Sequence, residues 1–132
     1  MVCFRYGQFS HLWIDQAQRL GLDVVVLEEE WGRGANEARL EEVLKADTEK
    51  KIKAVMVVHN ETTTGVTSDI HGCRKAIDNA KHPALFFVDG VRARTPLDRG
   101  PSTPFLFLLI SLEELHVRAR LVILLDWVRK VT

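Results

Sequence analysis

The sequence predicts an α/β fold, part of a three-layer αβα arrangement around a parallel sheet, and three observations carry that prediction. Ala54-Val55-Met56-Val57-Val58 is an apolar, β-branched-rich run without polar alternation, which suits a parallel strand covered on both faces. Ala84-Leu85-Phe86-Phe87-Val88 repeats the pattern and closes in Asp89-Gly90. Amphipathic helical stripes alternate with the strands, as in βαβ units joined by right-handed crossovers.

The elements follow in order. Phe9, Leu12, Trp13, Ala17 and Leu20 form one helical stripe that stops at Gly21, so a helix is expected over residues 9–20. Residues 23–27 then read as a strand, and the acidic run Glu28-Glu29-Glu30 reads as a solvated rim before the turn Trp31-Gly32-Arg33-Gly34. Asn36 is placed to cap a second helix that buries Leu40, Val43 and Leu44. After the central strand, Ser68 or Asp69 precedes a third helical stripe of Ile70, Cys73, Ile77 and Ala80. Lys81-His82-Pro83 breaks that helix before the second apolar strand.

The bulk properties bound the function. With 132 residues and 46 % apolar side chains the chain is one domain's worth of sequence with enough material for a core. Residues 1–91 carry 11 basic and 14 acidic side chains and residues 92–132 carry 7 and 4, and no basic face interleaves with aromatics, so nucleic acid is not expected as a partner. Cys3 and Cys73 lack metal-ligand spacing and point to a reducing compartment. The longest apolar stretch, residues 105–110, falls far short of the roughly 20 residues of a membrane span, so no membrane association is expected.

Beyond Val91 the character changes. Residues 92–104 hold three of the four prolines and read as loop. Ser111-Leu112-Glu113-Glu114 can open a helix through a capping box, running to Lys130, but residues 121–125 are apolar all round and would need burial on every side. The expected organisation is therefore a first unit over residues 1–91 and a divergent tail over residues 92–132.

In open α/β sheets the loops at the carboxyl ends of strands carry the ligand. Here those loops deliver Glu61, Thr62, Thr63, Thr64 and Asp89 to one edge, a candidate small-molecule site. A carboxylate such as Asp89 at a strand's end suits a cationic ring nitrogen or a metal, though Asp-Gly also simply ends strands with a turn. A Walker B reading of the strand fails for want of a phosphate loop upstream, and the five histidines show no zinc-ligand spacing, so no metal site is expected.

Several strings together carry a family resemblance: Phe4-Arg5-Tyr6-Gly7-Gln8-Phe9-Ser10, Leu12-Trp13-Ile14-Asp15, Glu30-Trp31-Gly32, Val58-His59-Asn60-Glu61-Thr62-Thr63-Thr64-Gly65-Val66-Thr67, and His82-Pro83-Ala84 through Val88-Asp89-Gly90-Val91. Over residues 4–91 the chain resembles the class V aminotransferases, most of all the serine-glyoxylate branch of plant peroxisomes, which serves photorespiration. The resemblance implies the central part of the large domain of a fold type I, pyridoxal-phosphate-dependent homodimer. It implies that Asp89 faces the pyridinium nitrogen of pyridoxal 5'-phosphate and that Thr62 contacts the cofactor, with Glu61 and Gly65 shaping the loop. The implied reaction moves the amino group of L-serine, or alanine, to glyoxylate, giving hydroxypyruvate and glycine.

The departures from the family are equally specific. The lysine that forms the Schiff base is expected some two dozen residues past the aspartate, yet no lysine occurs between Lys81 and Lys130. Residues from Arg92 onward do not match the family either, as translation through an intron or in a shifted frame would produce. No catalytic residue is therefore assigned, and the isolated chain is expected to be inactive. The alternative is a non-catalytic product that pairs with full-length subunits. The family address is peroxisomal, but Lys130-Val131-Thr132 is not such a signal, so a cytoplasmic location is expected.

Overall fold

The computed structural model describes residues 1–90 and the backbone of residues 105–108. The expectations for residues 92–104, for the capping box at Ser111 and for residues 121–125 lie outside the described residues. Ten elements follow in chain order: β1 (Val2–Arg5), α1 (Gln8–Arg19), β2 (Val25–Glu28), α2 (Glu37–Ala46), β3 (Ala54–Val58), β4 (Asn60–Glu61), β5 (Val66–Thr67), α3 (Ile70–Asn79), β6 (Leu85–Asp89) and β7 (Phe105–Leu108).

The main sheet has the order β2-β1-β3-β6-β7, and every pairing in it is parallel. The chain moves outward from β1 through α1 to β2, then returns across β1 through α2 to β3, and continues through α3 to β6. With right-handed crossovers, this reversal puts α1 on one face and α2 with α3 on the other, the doubly wound arrangement. The packing agrees, since α2 lies against α3 while α1 lies against β1 and β3.

The five residues of β3 are all buried, as its unbroken apolar run requires for a strand between two helical layers. Val2, Phe4, Val55, Val57, Phe86 and Val88 carry no exposed surface and form the middle of the core. From the helices, Ile14 and Ala17 of α1, Leu40 and Leu44 of α2, and Ile70, Cys73 and Ile77 of α3 close on it. Each such large aliphatic contributes about 1.5–3 kcal/mol relative to exposure. Asn36 caps α2 through its side chain, which accepts from Arg39 N at 3.0 Å. Asp69, of the two residues considered, caps α3 by accepting from Gly72 N at 2.9 Å.

The structure adds strands to the three that periodicity predicts. β1 is only four residues long and ends in a charged residue, so its apolar pattern is too brief to register, yet it sits between β2 and β3. β4 and β5 are two residues each and pair antiparallel, Asn60 with Thr67 and Glu61 with Val66. β7 pairs with β6 in the register Phe86 to Phe105 and Asp89 to Leu108, placing part of the divergent tail in the sheet.

Candidate functional site at the carboxyl edge of the sheet

β3 and β6 run side by side, with Val58 opposite Asp89, so both strands end at one edge. The link continues one residue further, where His59 N donates to Asp89 O at 2.9 Å. Asp89 is half-buried at this edge. Beyond His59 the chain folds into the β4–β5 hairpin, whose turn holds the exposed Thr62 and Thr63 and the half-buried Thr64. Gly65 completes the turn at a φ of 71°, a left-handed conformation that a β-carbon would disfavour. Thr62 and Asp89 thus follow the carboxyl ends of two adjacent parallel strands.

Glu61 organises the hairpin. It has no exposed surface, and its carboxylate reaches 51 positions back along the chain to the first turn of α1. Oε2 accepts from Ser10 N at 3.0 Å and Oε1 from Phe9 N at 3.3 Å, two of the donors a helix start leaves unpaired. Thr63 Oγ1 donates to Oε1 at 2.6 Å and itself accepts from Gln8 N at 3.0 Å. Burial alone would raise the Glu61 pKa, but the hydrogen bonds from Thr63, Ser10 and Phe9 outweigh it and hold the carboxyl below its ordinary value. Gly7 makes room for this, because a β-carbon there would stand 2.3 Å from Glu61 Cγ and Cδ.

A second tie lies beneath. The Tyr6 hydroxyl donates to Val58 O, Ser68 Oγ donates to the Tyr6 hydroxyl at 3.2 Å, and Ala35 N donates to Ser68 Oγ at 3.1 Å. Burial drives the Tyr6 pKa up, so the hydroxyl keeps its proton. The chain reverses direction between β1 and β3, the crevice where doubly wound sheets commonly take ligands. Here the Tyr6 hydroxyl joins the end of β3 to the residue after β1, and Glu61 ties the β4–β5 hairpin to the start of α1.

His59 is a feature the sequence offered only as a failed zinc pattern. Its Nδ1 is buried and has no hydrogen-bond partner among the described residues. Burial, with His71 nearby, lowers its pKa and favours the neutral ring. The lysines are distributed in the opposite sense. Lys45 ends α2, Lys50, Lys51 and Lys53 lead into β3, Lys81 leads toward β6, and Lys75 is exposed on α3. Among the described residues no lysine is placed at the carboxyl edge. No metal-binding group of His, Cys, Asp and Glu occurs among them, and burial pushes the thiols of Cys3 and Cys73 up to about 12.

A doubly wound parallel sheet with helices on both faces defines the class as an open α/β fold. Comparison narrows the class. The chain is 74 % identical over 87 residues to a serine-glyoxylate aminotransferase of Methylorubrum extorquens, which covers 66 % of this chain and 22 % of that protein. It is 52 % identical over 98 residues to a serine-glyoxylate aminotransferase of Arabidopsis thaliana, covering 74 % of this chain and 24 % of that one. The crystal structure of ureidoglycine-glyoxylate aminotransferase from Bacillus subtilis matches with a TM-score of 0.60 at 33 % identity, over 70 % of this chain and 22 % of that structure. No family model matches the chain. In sequence and in fold, about two thirds of the chain is homologous to a segment of the class V aminotransferases, and the chain spans under a quarter of the length of these relatives.

Proposed function

We propose that this segment is the cofactor-facing edge of a pyridoxal-phosphate-dependent aminotransferase, and that the chain as it stands lacks the amine needed for turnover. The observation that carries the reading is the Val58–Asp89 register, which sets the Asp89 carboxylate beside the strand that delivers Thr62. The donor set suits pyridoxal 5'-phosphate: a carboxylate for a protonated ring nitrogen, an exposed hydroxyl, and the buried Nδ1 of His59 that lacks a partner among the described residues. When bound, the cofactor supplies a cationic ring that withdraws electrons from the carbon bearing the amino group. Asp89 would hold the ring nitrogen in its protonated form, and Thr62 would contact the cofactor from the hairpin turn. Glu61 and Tyr6 keep that turn fixed and its base dry.

The proposed parent reaction transfers the amino group of L-serine, or alanine, to glyoxylate in a homodimer. Glyoxylate stands in the names of relatives that differ in the other substrate, serine in one and ureidoglycine in another. Peroxisomal residence and photorespiration belong to the same proposal and rest on the likeness to the plant enzyme. Turnover would need a lysine amine to hold the resting cofactor and to move the proton at the reacting carbon, and the positions of the six described lysines offer none at the carboxyl edge.

Equilibrium dialysis of the full chain against pyridoxal 5'-phosphate tests the cofactor reading. The expected result is saturable binding that Asp89→Asn weakens by about tenfold or more, the effect of removing a charge-assisted partner. Equal binding by the two proteins would sink the assignment of Asp89.

A further inference from the structure

We propose that Glu61 is a positioning residue for the Thr62 turn: its buried carboxylate, by capping α1 from 51 positions away, fixes where that turn stands at the carboxyl edge. The cofactor contact of Thr62 is the reading proposed above, and the location of the turn does not depend on it.

Three features of the structure converge. The turn is anchored to α1 on both sides of the carboxylate, since Phe9 N and Ser10 N donate to Glu61 while Gln8 N donates to Thr63 Oγ1. Within the turn, Thr64 N donates to Glu61 O at 3.2 Å and Thr63 N approaches Glu61 Oε1 at 3.4 Å, so the residues flanking Thr62 all refer back to Glu61. Gly7 excludes any β-carbon from the space that the Glu61 side chain fills, so the hairpin has one seat against the helix. α1 is in turn packed on β1 and β3, which ties the turn to the frame that carries Asp89.

The capping carboxylate also consumes the amino end of α1. Two of the N–H groups that would otherwise attract an anion there already donate to Glu61. The start of α1 therefore acts as a holder for the protein's own loop and is closed to an external phosphate.

Glu61→Gln keeps the shape of the side chain and removes its charge. Thr63→Val removes the hydroxyl link and leaves the carboxylate, a milder change should the first variant fold poorly. Amide hydrogen exchange of the full chain is read at Gln8, Phe9, Ser10, Thr63 and Thr64, with Asp47→Asn as the control at the opposite edge. The expected result is a tenfold or greater acceleration at these five amides in Glu61→Gln, a smaller one in Thr63→Val, and none in Asp47→Asn. Unchanged exchange at Thr63 and Thr64 in both variants would overturn the proposal. Dialysis against pyridoxal 5'-phosphate then separates positioning from mere stability. If Glu61 acts through Thr62, Thr62→Val and Glu61→Gln each weaken binding and the double variant is no weaker than the stronger single one. Additive losses overturn the positioning role. A wild-type chain that shows the exchange pattern and binds no cofactor overturns the cofactor reading alone.

Discussion

The two ends of the sheet use the same device to different effect. At the amino end, Asp47 accepts from Lys51 N at 3.0 Å and Ile52 N at 2.7 Å, and His82 Nε2 lies 3.1 Å from the same carboxylate. Ala84 N donates to His82 Nδ1 at 3.2 Å, so Nε2 carries the proton and gives it to Asp47. At the carboxyl end, Glu61 likewise absorbs backbone N–H groups. The backbone partners of the amino-end carboxylate lie in the loop between α2 and β3 that follows it directly, and His82 ties that loop to the segment before β6. The carboxyl-end one joins distant segments and leaves hydroxyls exposed. Local capping closes a connection, whereas long-range capping holds up a surface for something else to touch.

Breaking the long-range cap should cost most. Gly7→Ala forces Glu61 out of its seat, combining overpacking with unpaired donors at the start of α1, and is expected to destabilise the chain by about 2–4 kcal/mol in chemical denaturation. Asp47→Asn, at the other end, should lose about 1 kcal/mol, because the amide oxygen can still accept one of the N–H groups that the carboxylate takes. A larger loss for Asp47→Asn than for Gly7→Ala would reverse the comparison.

Acid sharpens the contrast. His82 has its pKa lowered, chiefly by burial, against the pull of Asp47, so the folded state resists the protonation that the unfolded chain accepts. Its contribution to stability is whole above the ordinary histidine value near 6.5 and is lost as pH falls through the lower folded value. Asp47, lowered chiefly by the Ile52 N–H, and Glu61, lowered by its hydrogen bonds despite burial, have the same sign further down. Their stabilisation is present above the ordinary carboxylate range and lost as pH falls through their folded values. Thermal melts should therefore decline in two stages, and His82→Gln should remove the first only. The smallest effect belongs to the exposed Glu30–Arg33 pair, where Arg33→Ala should change stability by less than about 0.5 kcal/mol.

How much of this was legible in the sequence follows from the range of the interactions. The three helices and the strands β3 and β6 announce themselves by spacing within ten residues, and the caps Asn36 and Asp69 stand directly before their stripes. β1, β4 and β5 are too short to show a repeating pattern, and only pairing with distant strands or the hold of Glu61 on α1 makes them regular. β7 was visible as an apolar stretch, but its place beside β6 depends on parallel pairing with a strand well before it in the chain. The common edge at which β3 and β6 end was readable because parallel strands end alike. The ties made by Tyr6 and Glu61 were not, since they depend on contacts 51 to 62 positions apart.

The proposed reading is a cofactor-facing edge of an aminotransferase segment at Asp89 and Thr62, with no lysine among the described residues there to supply the amine that turnover requires. Its most direct test is an assay of the purified full chain with pyridoxal 5'-phosphate, L-serine and glyoxylate, following glycine and hydroxypyruvate. The account predicts rates equal to those of the cofactor alone, because loss of the Schiff-base amine removes covalent and proton-transfer catalysis together. Product formed above that background, and abolished by Asp89→Ala, would contradict it.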